Sequence, residues 1–302
     1  MSNSSRFHPR YWPTWIGIGL LWLSVKVLPW PVLRFVGRGL GRLLMIAVPR
    51  RREIARINLD LAFADRPAEE RANMLRQHFE AVGIGLFEMG LGWWGSENFL
   101  RRVGHIEGLE HLDAAVAKGK GVILLSAHFT TLEITGHILG IERPLHVLYR
   151  RNENPVLEYF LKKGRERHAK ATIHRDDIRS MIRSLKAGNI VWFAFDQNYG
   201  HKGSVFSSFF DVPAATNTAT SRLAKISGCD VVPFFAQRNS GGMYELKIQP
   251  ALKNFPGESE QEDTDRLNQL ISNAVQHSPH QYLWLHRRFK DTPEGTNRYA
   301  AK

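Results

Sequence analysis

The sequence predicts an α/β protein, a largely parallel sheet flanked by helices, preceded by an N-terminal membrane helix. Three observations predict it. After Gly104 short apolar runs alternate with helix-periodic stretches, as in βαβ units. From Arg50 to Gly92 the chain is helix-periodic without such runs. Tyr11 to Leu33 has a single charge, Lys26, and carries four tryptophans. The 302 residues suffice to bury a sizeable core, and the 43% hydrophobic and 23% charged composition excludes a mostly disordered chain.

The net charge of +12 points to an anionic partner, and its location narrows the choice. Residues 1–60 hold ten Lys and Arg against Glu53 and Asp60, beside the Trp-rich stretch. Phospholipid suits that juxtaposition better than nucleic acid, for which no recognition fingerprint is present. Tyr11 to Leu33 has the length of a membrane span, although Lys26, Pro29 and Pro31 weaken its second half, so an in-plane helix is the alternative. No small-residue cleavage site follows, and the segment is expected to remain attached. Arg34, Arg38 and Arg42 recur every four residues on one helix face, opposite Leu33, Val36, Leu40, Leu43 and Leu44, and suit anionic headgroups. The positive charge after the segment places residues 34 onward on the cytoplasmic side.

Between Arg50 and Gly92 the three- and four-residue steps predict two helices, broken near Asp65-Arg66-Pro67. Strands are predicted over Gly121–Ala127, Leu145–Tyr149, Ile190–Phe195 and Val231–Phe235. Helices are predicted over Thr131–Leu139, Val156–His168, Ile178–Ala187 and Thr218–Ser227. The single cysteine, Cys229, excludes an internal disulfide, and no histidine lies in a ligand-spaced cluster, so neither metal nor cofactor is implied. Phosphate-loop and dinucleotide fingerprints are absent.

Sites in open α/β sheets form where strands end. His128 directly follows the first apolar run, and Glu133 stands five residues on. A carboxylate can hold one imidazole nitrogen as N–H while the other accepts a hydroxyl proton. The same spacing occurs at His105/Glu110, His137/Glu142 and His286/Asp291, so position decides. Five residues on a helix turn the chain about 500°, so the pair can meet only if His128 lies in the turn before the helix, where Thr130 or Thr131 can cap. His137 would fall mid-helix.

The run LLSAHFTTLE resembles the first block of the late, or secondary, acyltransferases of lipid A biosynthesis, within the lysophospholipid acyltransferase superfamily. The likeness continues through YRRNENP, FDQNYGHKGSVFSSFFDVPAATNTATSRLA, VVPFF and YLWLHRRFK. It implies a glycerol-phosphate-acyltransferase-like fold, with residues 1–48 anchoring and 49–302 forming the acyltransferase domain. It also implies transfer of a fatty acyl chain, lauroyl by likeness, from acyl carrier protein to a 3-hydroxyacyl hydroxyl of a lipid A precursor of the Kdo2-lipid IVA type at the inner membrane. His128 would be the base and Glu133 its orienting acid, without an acyl-enzyme.

The resemblance makes Arg150, rather than Arg151, the group for an anionic substrate or the oxyanion. Asp196 would orient Arg150 or the sugar, with Asn198 and Gly200 in the same loop, although the family often has Pro at 195 and Asp at 198. Phe206, Phe209 and Phe210 are candidates to line an acyl groove. The stretch Lys162, Lys163, Arg165, Arg167 and Lys170 is a candidate docking site for the anionic carrier protein. The alternative function is an acyltransferase acting on another lysophospholipid or glycolipid.

Overall fold

The computed structural model describes residues 6–198 and 200–300. Its N-terminal helices depart from the expected membrane span. Helix α1, Trp12–Val27, stops because Leu28 precedes Pro29 and turns extended, with ψ at 135°. Helix α2, Trp30–Ala47, then starts afresh with Pro31 in its first turn. Sixteen residues of α1 reach only about 24 Å, short of the roughly 30 Å hydrocarbon core. Among the described residues no helix is long and apolar enough to cross a membrane, and the expectation of a transmembrane helix is corrected accordingly.

Helices α3, Pro49–Ala62, and α4, Ala68–Trp94, match the two helices expected on either side of Pro67. Helix α2 lies close on α4, since a Cβ on Gly41 would stand 2.0 Å from the Phe79 carbonyl oxygen. Leu33 is buried in that contact, while Val36 and Leu43 turn outward together with Phe35 and Ile46, which are 76% and 70% exposed. The apolar side of α2 is thereby divided between the protein and the outside.

The strands are β1, Gly104–Glu107; β2, Val122–Ser126; β3, Leu145–Tyr149; β4, Ala169–His174; β5, Ile190–Ala194; β6, Ser204–Phe209; β7, Val212–Asn217; β8, Asp230–Arg238; and β9, Tyr244–Ile248. Seven of them form one sheet in the order β1-β9-β8-β2-β5-β3-β4, parallel at every pairing except β8 with β9. Strands β6 and β7 form a separate antiparallel hairpin. The connecting helices are α5, Glu97–Val103; α6, Leu109–Val116; α7, Leu132–Glu142; α8, Pro155–Arg165; α9, Ile178–Lys186; α10, Ala219–Ser227; and α11, Glu260–His277.

Alternation along β2 divides the core. Ile123 and Leu125 join a cluster with Phe79, Phe195 and Trp284, whereas Val122 and Leu124 join one with Leu33, Trp192 and Phe234. All five β2 residues are buried, as expected for a central parallel strand covered on both faces.

The C-terminal segment crosses the carboxyl end of the sheet. Thr130 N–H donates to Gln281 O and Leu283 N–H to His128 O, each at 2.8 Å. Asn58 Nδ2 on α3 donates to the carbonyls of Trp284 and His286 at 2.7 Å, so this segment is held from both sides.

Candidate active site

Strands β2, β5 and β3 are neighbours, and their carboxyl ends are followed by His128, Asp196 and Arg150 respectively. A cavity of about 340 Å³ opens there, bordered by His128, Glu133, Arg150, Arg165, Trp192 and Gln197 among others. As expected, His128 lies in the turn between β2 and α7. Neither threonine caps α7 through its side chain, since the Thr131 hydroxyl donates instead to Ala236 O at 3.3 Å.

The carboxylate on His128 is not the expected one. His128 Nδ1 lies 2.7 Å from Asp196 Oδ1, and the His128 backbone N–H donates to both carboxylate oxygens at 3.1 and 3.2 Å. Burial would raise the Asp196 carboxyl, but the neighbouring His128 and its hydrogen bonds outweigh burial and hold it down to about 2. An ionised carboxylate only accepts, so Nδ1 carries the proton and Nε2 is left as the basic nitrogen. The His128 side chain is 27% exposed, and Asp196 beneath it only 1%.

Glu133 makes no hydrogen bond to His128; its carboxylate receives Arg165 Nε at 3.0 and 3.3 Å and a further, shorter bond from the same guanidinium. The expected His128–Glu133 pairing is corrected on this geometry, because the first turn of α7 aims Glu133 at α8. Burial acts to raise the Glu133 carboxyl, yet Arg165 holds it below its ordinary value. Arg165 therefore belongs to the cavity wall and not to an exposed docking stretch, and Arg167 is likewise engaged, donating to Trp93 O.

Arg150 borders the cavity, whereas Arg151 lines a separate groove beside Tyr159 and Lys162. Asp196 does not meet Arg150 or the cavity, contrary to its expected substrate-binding place. Asn198 and Gly200 also lie off the cavity and shape the loop. Gly200, at φ +89°, donates its N–H to Asn198 Oδ1 at 3.0 Å, and Asn198 N–H donates to His286 Nε2 at 3.2 Å.

The expected acyl groove of Phe206, Phe209 and Phe210 is also corrected. The β6–β7 hairpin folds onto α11, which places Phe209 fully inside the core and Phe210 between Phe63 and Trp284. Phe206 meets His201 instead. Apolar lining of the cavity comes from Leu132, Leu145, Val147, Leu161 and Trp192. Gly136 allows it, since a Cβ there would stand 2.2 Å from the Trp192 ring.

Sequence reasoning passed over His286, whose imidazole burial pushes down to about 4, and His137, pushed down likewise to about 4 with its Nδ1 2.8 Å from that of His168. His137 borders the cavity, and the nominally paired Glu142 goes to Arg101. The available signal was topological: once β2 and β5 are adjacent, the residues following them must meet.

The sequence matches the profile of the bacterial lipid A biosynthesis acyltransferases over residues 2–291. The chain belongs to that family. It is an acyltransferase of lipid A biosynthesis. It is 39% identical to the lipid A biosynthesis lauroyltransferase of Escherichia coli (strain K12), over 98% of each chain. It is also 39% identical to the palmitoleoyltransferase of the same organism, over 95% of this chain and 94% of that one. The myristoyltransferase of that strain is 29% identical, over 95% and 90%. The solved 1-acyl-sn-glycerophosphate acyltransferase of Thermotoga maritima aligns over 82% of this chain and 97% of its own, at 14% identity and a TM-score of 0.39.

Proposed function

We propose that this lipid A acyltransferase moves a fatty acyl chain from the thioester of acyl carrier protein to the hydroxyl of a 3-hydroxyacyl chain on a Kdo2-lipid IVA-type precursor. The observation that carries the mechanism is the 2.7 Å contact of His128 Nδ1 with Asp196, which in the neutral ring places the proton on Nδ1 and leaves Nε2 to act as the base. Nε2 takes the acceptor's hydroxyl proton as the oxygen bonds to the thioester carbonyl carbon. Asp196 stabilises the resulting imidazolium, which returns the proton to the departing thiolate as the C–S bond breaks. No acyl-enzyme forms. Arg150, at the cavity edge, steadies the oxyanion, and Glu133 enters through Arg165, which it fixes as a cation in the wall.

Lauroyl is the proposed chain because the relative named for it matches over 98% of both lengths; palmitoleoyl, matched at equal identity, is the competing chain. The protein is proposed to sit on the cytoplasmic face of the inner membrane as a monotopic enzyme, residues 1–48 anchoring and 49–302 catalysing. The exposed Phe35, Leu43 and Ile46 beside Arg38 and Arg42 support that seating. Purified enzyme offered acyl carrier protein loaded with 12-, 14- or 16-carbon chains and the lipid A precursor, read by mass spectrometry, tests the assignment. The expected product is the precursor plus one lauroyl group. Transfer only to a lysophospholipid, or none from the carrier protein, would overturn it.

A further inference from the structure

A recess of about 420 Å³ lies between α2, α4 and the carboxyl end of β8. Arg34 and Arg38 of α2 border it, with Arg238, Asn239, Ser240 and His280. Arg34 is locked in place, its guanidinium donating to Gly241 O at 2.5 Å and to Ser240 O. Its Nε is buried without a partner. Arg238 is held by the buried Glu88, which also accepts from the Tyr244 hydroxyl at 2.7 Å. The Arg38 side chain is exposed and makes no hydrogen bond or ion pair among the described residues. The carboxylate on the rim, Glu80, is engaged by Arg42 at 2.7 Å. Arg34, Arg38 and Arg238 thus border one recess; Arg238 is paired with Glu88 and Glu80 with Arg42, which leaves Arg34 and Arg38 as the charges there without a carboxylate partner among the described residues.

We infer that this recess is a second binding site, one that holds the phosphate ester of a lipid headgroup at the membrane surface. Guanidiniums match phosphate oxygens in charge and in the geometry of their forked donors. The volume exceeds a bare anion and admits the phosphate with its attached glycerol or sugar. Phe35 and Val32, exposed on the same helix beside Arg34, lie where the lipid's acyl chains would run. The site is distinct from the cavity of His128. It rests on the membrane seating proposed above, and two sources fit its chemistry: a bulk anionic phospholipid, or the acceptor's own phosphate.

The test uses the full chain in a neutral detergent, titrated calorimetrically with water-soluble dihexanoyl phosphatidic acid. Arg38→Gln should weaken binding about tenfold, the scale of one charge-assisted hydrogen bond. Arg50→Gln removes the same charge at the exposed start of α3, outside the recess and without disturbing the Arg42–Glu80 pair, and should leave binding within about twofold. Equal losses in the two variants, or no binding by the unaltered protein, would overturn the site. If Arg38→Gln also raises the acceptor's KM at unchanged kcat, the bound phosphate is the acceptor's; if KM is unchanged, it is the bilayer's, and the site stands either way. Intact phosphatidic acid binding in a chain that no longer sediments with vesicles would reject the membrane seating alone.

Discussion

Asp196 grips His128 twice, through the imidazole Nδ1 at 2.7 Å and through the backbone N–H at 3.1 and 3.2 Å. One buried carboxylate thus fixes both the tautomer of the ring and the turn that carries it. Replacing Asp196 by Asn keeps the shape but supplies an amide N–H that can donate to Nδ1, which moves the ring proton to Nε2. Acyl transfer should fall by about 10² to 10⁴ in kcat for His128→Ala and for Asp196→Asn. The double variant should be little worse than His128→Ala, because both residues act through one proton. Steady-state rates on folded protein decide this, and near-normal transfer by Asp196→Asn would remove its positioning role.

Glu133 has a different signature. Its loss leaves the Arg165 guanidinium without its carboxylate, so Glu133→Ala should cost about 3 kcal/mol of stability, the lower end for a mostly buried pair. Denaturant unfolding should show the cost, and Arg165→Met paired with Glu133→Ala should recover part of it. The pH profile of residual activity in Glu133→Gln should keep the unaltered enzyme's limbs, whereas that of Asp196→Asn should shift. A Glu133→Ala protein of full stability with a shifted profile would reinstate direct pairing with His128.

Stability should decline in acid over two separate windows. Burial lowers His78, His137 and His286 from an ordinary 6.5 to about 4. Folded protein then binds fewer protons than the unfolded chain, so their contribution is whole above pH 6.5 and is lost as pH falls to about 4. Asp196, lowered from 3.8 to about 2, adds a loss of about 2 kcal/mol over the range below pH 3.8. Melting temperatures measured from pH 8 to 3 should begin to fall below pH 6.5. A flat profile down to pH 4 would show that these histidines can be protonated without unfolding.

Membrane seating is tested better by charge than by truncation. Leu33 is fully buried and Lys26 Nζ donates to Trp94 O, so removing residues 1–33 strips contacts from α4. Ile46→Asp, at a 70% exposed site, should weaken sedimentation with anionic vesicles severalfold while leaving the melting temperature within about 1 °C. Undiminished sedimentation at high salt would show that the outward side of α2 is not what meets the bilayer.

Much of the sheet was legible because its central strands are buried on both faces and read as apolar runs: the segment Leu145–Tyr149 is strand β3 to the residue. Helix α9 was likewise found within one residue of its end. Strands β1 and β4 escaped because they have polar, partly exposed sequences, GHIE and AKATIH, whose order comes from neighbours. Around the cavity, the placement of His128 in the turn after a strand was legible from the apolar run before it. The carboxylate bonded to it was not, because a spacing argument sees only nearby carboxylates and Asp196 arrives by strand pairing. The phenylalanines misled because an aromatic run shows burial without showing which cavity, or none, it faces.

The backbone bonds from Thr130 to Gln281 and from Leu283 to His128 set an order on the protein's manufacture. The ribosome delivers α1 and α2 first, so their exposed apolar sides emerge long before the segment that braces the His128 turn. Until Tyr282, Trp284 and Phe289 have left the exit tunnel, the His128 turn lacks its lid and those aromatic rings have no place in the core. A chain that stops before Tyr282 therefore keeps the exposed apolar side of α2 but lacks the bonds that brace its His128 turn.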